Sequence, residues 1–236
     1  MSIAEKFEII ADEVFEVGKK TEYNDFWDKY QQKGAREDYQ TAFAGSGWND
    51  QTFKPKYNIA PKNAYMMFRY STIEDLPTAL ENAGVTLNTS NSTDLSYAFA
   101  YGQFKHIGEV SCVSADVANC VFFSSRLLET IDKFIVRSDG SNTFTNTFVY
   151  CYALKNIAIE GVIGNSINFT YSPLTVESMK NIIGALKNHK GTDKEGQCTL
   201  TFSQSCWNDL HNSGETAPDG SASWTDYVKY VLGWNV

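Results

Sequence analysis

The sequence predicts an α/β repeat: a solenoid of short strands and irregular turns, with an N-terminal helix and an α/β C-terminal cap. Three observations predict it. The stretch TFVYCYALKNIAIEG (147–161) spaces Phe148, Cys151, Leu154, Ile157 and Ile159 at intervals of three, three, three and two. The same frame recurs on the anchors Phe43, Phe68, Phe99, Phe122, Phe148 and Phe169, separated by 25, 31, 23, 26 and 21 residues. From Thr175 onward the frame gives way to helical periodicity. Recurrence at such a period marks a chain in which each unit buries its apolar edge only by stacking on its neighbours.

The expected organisation follows in order. Residues 1–37 form an N-terminal helical segment. Its residues Ile3, Phe7, Ile10, Val14 and Val17 are spaced 4, 3, 4 and 3, a heptad seam that stops at Gly18. So short a seam needs a partner. Two readings stand: a helix capping the open edge of the repeats, or an oligomerisation stub, the base of a homotrimer. FWDKYQ (26–31) is read as a helix on the first repeat.

Residues 38–174 form the repeats. Within a unit, Leu154, Ile157 and Ile159 end in a period-2 segment, which is a short strand. The residue three after each Phe is small (Ser46, Ser71, Gly102, Ser125, Cys151, Ser172), as an inside corner requires. The one long separation is explained by PTALENAG (77–84), an inserted helical turn or two ending at Gly84. Residues 175–236 form a helix-strand-helix cap: TVESMKNIIGALKN capped by Thr175, the strand CTLTF, a short helix ended by Gly214, and a last helix with Ser223 at its start and Gly233 at its end.

Composition narrows function. The chain has 236 residues, with 28 Asp and Glu against 20 Lys and Arg, a net charge of −8, and no basic run. Nucleic-acid binding needs clustered cations, so no nucleic-acid partner is expected. No apolar stretch has the length of a membrane span, so no membrane insertion is expected, and the N-terminal stretch lacks the basic start and apolar core of a secretory signal. The cysteines Cys112, Cys120, Cys151, Cys198 and Cys206 have irregular spacing and read as buried thiols, so neither a metal nor a cofactor is expected. No nucleophile elbow, phosphate loop, dinucleotide motif or paired-carboxylate cleft is present, and no catalytic residue is assigned.

The candidate site is therefore a binding surface. Two residues past the anchors stand Gly45, Tyr70, Tyr101, Ser124, Tyr150 and Tyr171. Neighbouring places add Arg69, Phe123, Arg126, Tyr152 and, further on, Trp48. Equivalent positions of stacked units line up, and tyrosine with arginine is the usual composition of recognition surfaces. The competing reading is a tyrosine ladder that only stiffens the stack.

The frame resembles the leucine-rich repeat of the BspA-like bacterial surface family, whose unit runs Ala-Phe-x-x-Cys-x-x-Leu-x-x-Ile-x-Ile. The resemblance covers about residues 38–175, although most units lack the Cys and the prolines that follow the family's strand are missing. The chain is also similar to small leucine-rich repeat proteins of gut Firmicutes and their prophages, through FWDKYQ, GSGWNDQTFKPKY (45–57), LETIDK (128–133) and ALKNIAIEGVIG (153–164). The resemblance implies a leucine-rich repeat solenoid. It further implies a non-enzymatic receptor-binding protein, made in the bacterial cytoplasm and carried on a virion or prophage particle. That protein would bind a bacterial cell-surface protein or glycan. The alternative is a BspA-like adhesin at the cell surface. In similar prophage chains the turn positions are often Asn or Ser. Tyr, Arg and Phe in their place fit a ligand surface rewritten by a diversity-generating retroelement.

Overall fold

A computed structural model describes residues 38–45, 55, 57–115 and 117–236. The N-terminal segment, with Ile3, Phe7, Ile10, Val14 and Val17, lies outside the described residues, as do FWDKYQ and Trp48.

The period-2 segments form three strands where the expected frame is most complete. Strand β1 (His106–Ser111), β2 (Thr130–Ile135) and β3 (Asn156–Glu160) make a parallel sheet in the order β1-β2-β3. Ile107 faces Ile131, and Ile131 faces Ile157. These side chains enter the core while Glu109, Asp132 and Ala158 remain outside. A second, two-stranded parallel sheet pairs β4 (Ile167–Phe169) with β5 (Leu200–Phe202).

This arrangement corrects the expected fold class. The described residues form a small α/β protein with two small parallel sheets flanked by helices, not a leucine-rich repeat solenoid. A solenoid of that kind carries one strand per unit into a continuous sheet. Here the units of Phe68 and Phe169 add no strand after Leu76 and Leu174; the helices expected at residues 77 and 175 follow at once, as α1 (Leu76–Ala83) and α2 (Val176–Gly184). The local chemistry explains it. Asp75 Oδ1 accepts the Thr78 N–H at 2.8 Å, and Pro77, which has no N–H to give a ladder, stands in the first turn of α1. Gly84, in the left-handed region, ends that helix, so the insertion read at residues 77–84 is α1. Thr175 caps α2 in the same way as Asp75 caps α1. Helix α2 then closes the sheet edge: the Ile157 N–H donates to Ser178 Oγ (3.0 Å) and the Ile159 N–H to Asn181 Oδ1 (2.6 Å). No further strand is needed to satisfy those donors.

What does stack through the middle of the chain is a tight turn around each anchor. Phe43, Phe68, Phe99, Phe122, Phe148 and Phe169 are all buried. Their rings stack in sequence with centroids 5.0, 5.5, 5.6, 5.4 and 4.5 Å apart. Phe202, from the C-terminal segment, continues the row at 6.0 Å from Phe169. Backbone bonds join the turns: the N–H groups of Phe43, Phe68, Phe99 and Phe122 donate to the carbonyls of Met67, Ala98, Val121 and Thr147. The small residue three after Phe does more than fit a corner. Ser125 Oγ donates to the Phe99 carbonyl (2.7 Å) and Cys151 Sγ to that of Phe122 (3.1 Å), tying each turn to the one before.

In the C-terminal segment, α3 (Gln204–Asn212) starts at the cap Ser203. Helix α4 (Trp224–Asp226) starts at Ser223 and runs into a π-helical turn, Tyr227–Val231. Trp234 ends buried, with its Nε1–H on the Lys187 carbonyl (2.8 Å) and its ring on His189 (5.3 Å).

Candidate functional site: an exposed aromatic row

The tight turns of the first five anchors each place two residues at positive φ, four apart: Thr41 and Gly45, Met66 and Tyr70, Tyr97 and Tyr101, Cys120 and Ser124, Asn146 and Tyr150. The second of each pair is the position two after the anchor. Its backbone is locked to the next turn: the N–H groups of Tyr70, Tyr101 and Ser124 donate to the carbonyls of Ala100, Phe123 and Val149 at 3.0, 2.9 and 2.9 Å. The side chains are therefore held at the spacing of stacked backbones, about 4.8 Å.

The rings form an unbroken row. Tyr70 stacks on Tyr101 at 5.0 Å. Ser124 offers no ring, and Phe123 takes its place, edge-on to both Tyr101 and Tyr150 at 5.5 Å. Tyr150 meets Tyr171 at 4.9 Å and Tyr152 at 5.9 Å, and Tyr152 meets Tyr171 at 5.5 Å. Tyr70, Tyr152 and Tyr171 are 52%, 47% and 41% exposed, and Tyr101, Phe123 and Tyr150 between them are partly buried, so the row is most open at its two ends.

Two guanidinium groups lie on the row. Arg69 sits 4.7 Å from the Tyr70 ring centre and 5.2 Å from that of Tyr101, and donates to the Tyr70 hydroxyl at 3.1 Å. Arg126 lies 5.8 Å from the Tyr152 ring centre. Neither forms an ion pair among the described residues. The row thus combines π-faces and cationic edges on an otherwise acidic chain.

Of the residues singled out from sequence, Arg69, Tyr70, Tyr101, Phe123, Arg126, Tyr150, Tyr152 and Tyr171 come together here. Sequence reasoning missed Tyr97, whose ring lies 5.7 Å from the Arg69 guanidinium and edge-on to Tyr65. It missed Leu127 as well, 49% exposed next to Arg126. The signal for Tyr97 was its place four before Tyr101, the other left-handed position of the turn.

The described cysteines are all buried, and burial pushes the Cys151 thiol up to about 12. No group of His, Cys, Asp and Glu able to hold a metal ion occurs among the described residues, nor does any helix long and apolar enough to cross a membrane. Comparisons with protein-family models, with curated proteins and with solved structures found no match to this chain.

Proposed function

We propose that this chain is a non-enzymatic binding protein that recognises a bacterial cell surface through the aromatic row, and that it is carried on a phage or prophage particle. The observation that carries the reading is the row itself: aromatic rings in contact with their neighbours, three of them about half exposed, with two guanidinium groups that no carboxylate among the described residues engages. Packed aromatic rings present a large apolar area with little rotamer freedom left to lose on binding, which is the composition and mechanics of a contact hot spot. The contacts between rings stiffen the turns and pre-organise the surface at once. The particle setting rests on the resemblance of four sequence stretches to small proteins of gut Firmicutes and their prophages.

The test is binding of purified fluorescent protein to a panel of gut Firmicutes cells, beside a variant with Tyr70, Tyr101, Tyr150 and Tyr171 changed to Ser. Selective binding that the folded variant loses is expected. Loss after protease treatment of the cells identifies a protein receptor, and loss after periodate a glycan. Equal binding by the variant would move the site away from the row.

A further inference from the structure

A groove of about 590 Å³ opens where the turn before Phe148 meets the second sheet, and no residue of the aromatic row lines it. Three chain segments make its walls: Thr143–Asn146, Asn165–Asn168 and a stretch of the C-terminal segment from Lys194 to Thr201. Its volume lies within the range of small-ligand sites, ~300–1,000 Å³.

The lining has an unusual chemistry. The hydroxyls of Thr143, Thr145, Thr199 and Thr201 and the amide of Asn146 make no side-chain hydrogen bond among the described residues. Each can both donate and accept. Asn168 spends only its Oδ1, which accepts the Thr170 N–H and hydroxyl at 2.8 and 2.7 Å. No carboxylate stands among the described lining residues, which disfavours a cation. Its one charge, Lys194, is pinned at 3.0 Å to Asn165 Oδ1, and Asn165 is fixed in turn by its Nδ2 donating to the Asn142 carbonyl at 2.8 Å. One lysine held by a neutral amide is a weak match for a phosphate, which calls for convergent cations or arginine forks.

Convergent two-way hydrogen-bonding groups without a dominant charge match a ligand whose own surface is two-way hydroxyls. We infer that this groove is a second binding site, for a neutral oligosaccharide, with Thr145, Asn146, Asn168 and Thr201 as its contacts. The inference stands on the groove alone and does not depend on the aromatic row.

The experiment is an amide chemical-shift titration of the full chain with chitotetraose, with maltotetraose and with inorganic phosphate. It is repeated on a Thr145→Val, Thr201→Val double variant and on the four-tyrosine variant. At least one tetrasaccharide is expected to move the amides of residues 143–146, 166–168 and 199–201 together, with a Kd of about a millimolar. The threonine variant should weaken it about tenfold, the effect of a lost hydrogen bond or two, while the tyrosine variant leaves it unchanged. The inference is overturned if neither tetrasaccharide moves those amides at about 10 mM, if only phosphate does, or if the threonine variant binds as the wild type does.

Discussion

Thr41 shows how the turns are held. Its φ is 55°, a region that a β-branched residue enters at a cost of about 1–2 kcal/mol, yet its N–H donates to the Tyr65 carbonyl at 3.0 Å and fixes it there. Thr41 is exposed and the bond is to backbone, so Thr41→Gly relieves the strain without losing a contact. Set against glycine's greater entropy in the unfolded chain, the substitution is expected to raise the unfolding free energy by about 0.5–1 kcal/mol, read from the urea midpoint. Tyr70, Tyr101 and Tyr150 also lie in the left-handed region, and the ring contacts of Tyr70 with Tyr101 and of Tyr150 with Tyr171 offset part of that cost. At the core of the turns, Phe148→Ala removes a buried ring from between Phe122 and Phe169 and is expected to cost about 3–5 kcal/mol.

His106 makes a second prediction at this scale. Its Nδ1 lies 3.2 Å from Asp75 Oδ2 and its Nε2 2.9 Å from Asp132 Oδ1. Burial works against its charge, but the hydrogen bonds to Asp132 and Asp75 outweigh burial and hold the imidazolium above its ordinary value of 6.5. A group whose folded pKa is raised stabilises the fold fully below about 6.5, and that contribution is lost as pH rises through the folded value. His189 has the opposite sign: burial, with Lys194 and Lys187 nearby, lowers it despite its bond to the Gly164 carbonyl. Its contribution is present above 6.5 and lost as pH falls toward the folded value. A proton titration by NMR should find His106 above 6.5 and His189 below it, and Asp132→Asn should lower the midpoint of His106 alone.

At the scale of elements, the anchors were legible because an aromatic residue that recurs on one frame of small and apolar neighbours marks a stacked core. The small residues three after each anchor were legible too, though their hydrogen bonds were not, since a bond from Ser125 to a carbonyl 26 residues away leaves no local trace. Helices α1 and α2 were legible as well, from the insertion that ends at Gly84 and from Thr175 with Ser178. The fold class was misread because a recurring frame does not say that every unit contributes a strand: among the described residues only the units of Phe99, Phe122 and Phe148 carry one into the three-stranded sheet. The sheet edge depends on one of these helices. Asn181→Ala leaves the Ile159 N–H without its acceptor and is expected to cost about 1–3 kcal/mol, with faster hydrogen exchange at Ile159. Gly161 is equally constrained: its φ is 109°, and a Cβ there would stand 2.2 Å from the Val136 carbonyl oxygen, so Gly161→Ala should disrupt the end of β3.

At the scale of the whole molecule, two surfaces differ in kind. The row of Tyr70, Tyr101, Phe123, Tyr150, Tyr152 and Tyr171 is aromatic and edged by arginine, and the groove beside β4 and β5 is hydroxylic and nearly neutral. The row could be read from sequence because Tyr70, Tyr101, Tyr150 and Tyr171 all stand two residues past an anchor, with Phe123 and Tyr152 close beside such positions. The groove could not, because its walls come from three separate segments between Thr143 and Thr201, with no shared pattern. The most direct measurement of the row's role is tyrosine nitration, mapped by mass spectrometry, on the protein free and bound to cells. Tyr230, 67% exposed in the C-terminal segment, serves as the internal control. Protection of Tyr70, Tyr152 and Tyr171 with Tyr230 still reactive is the predicted result. Row tyrosines nitrated as fast on the cell as in solution would contradict it.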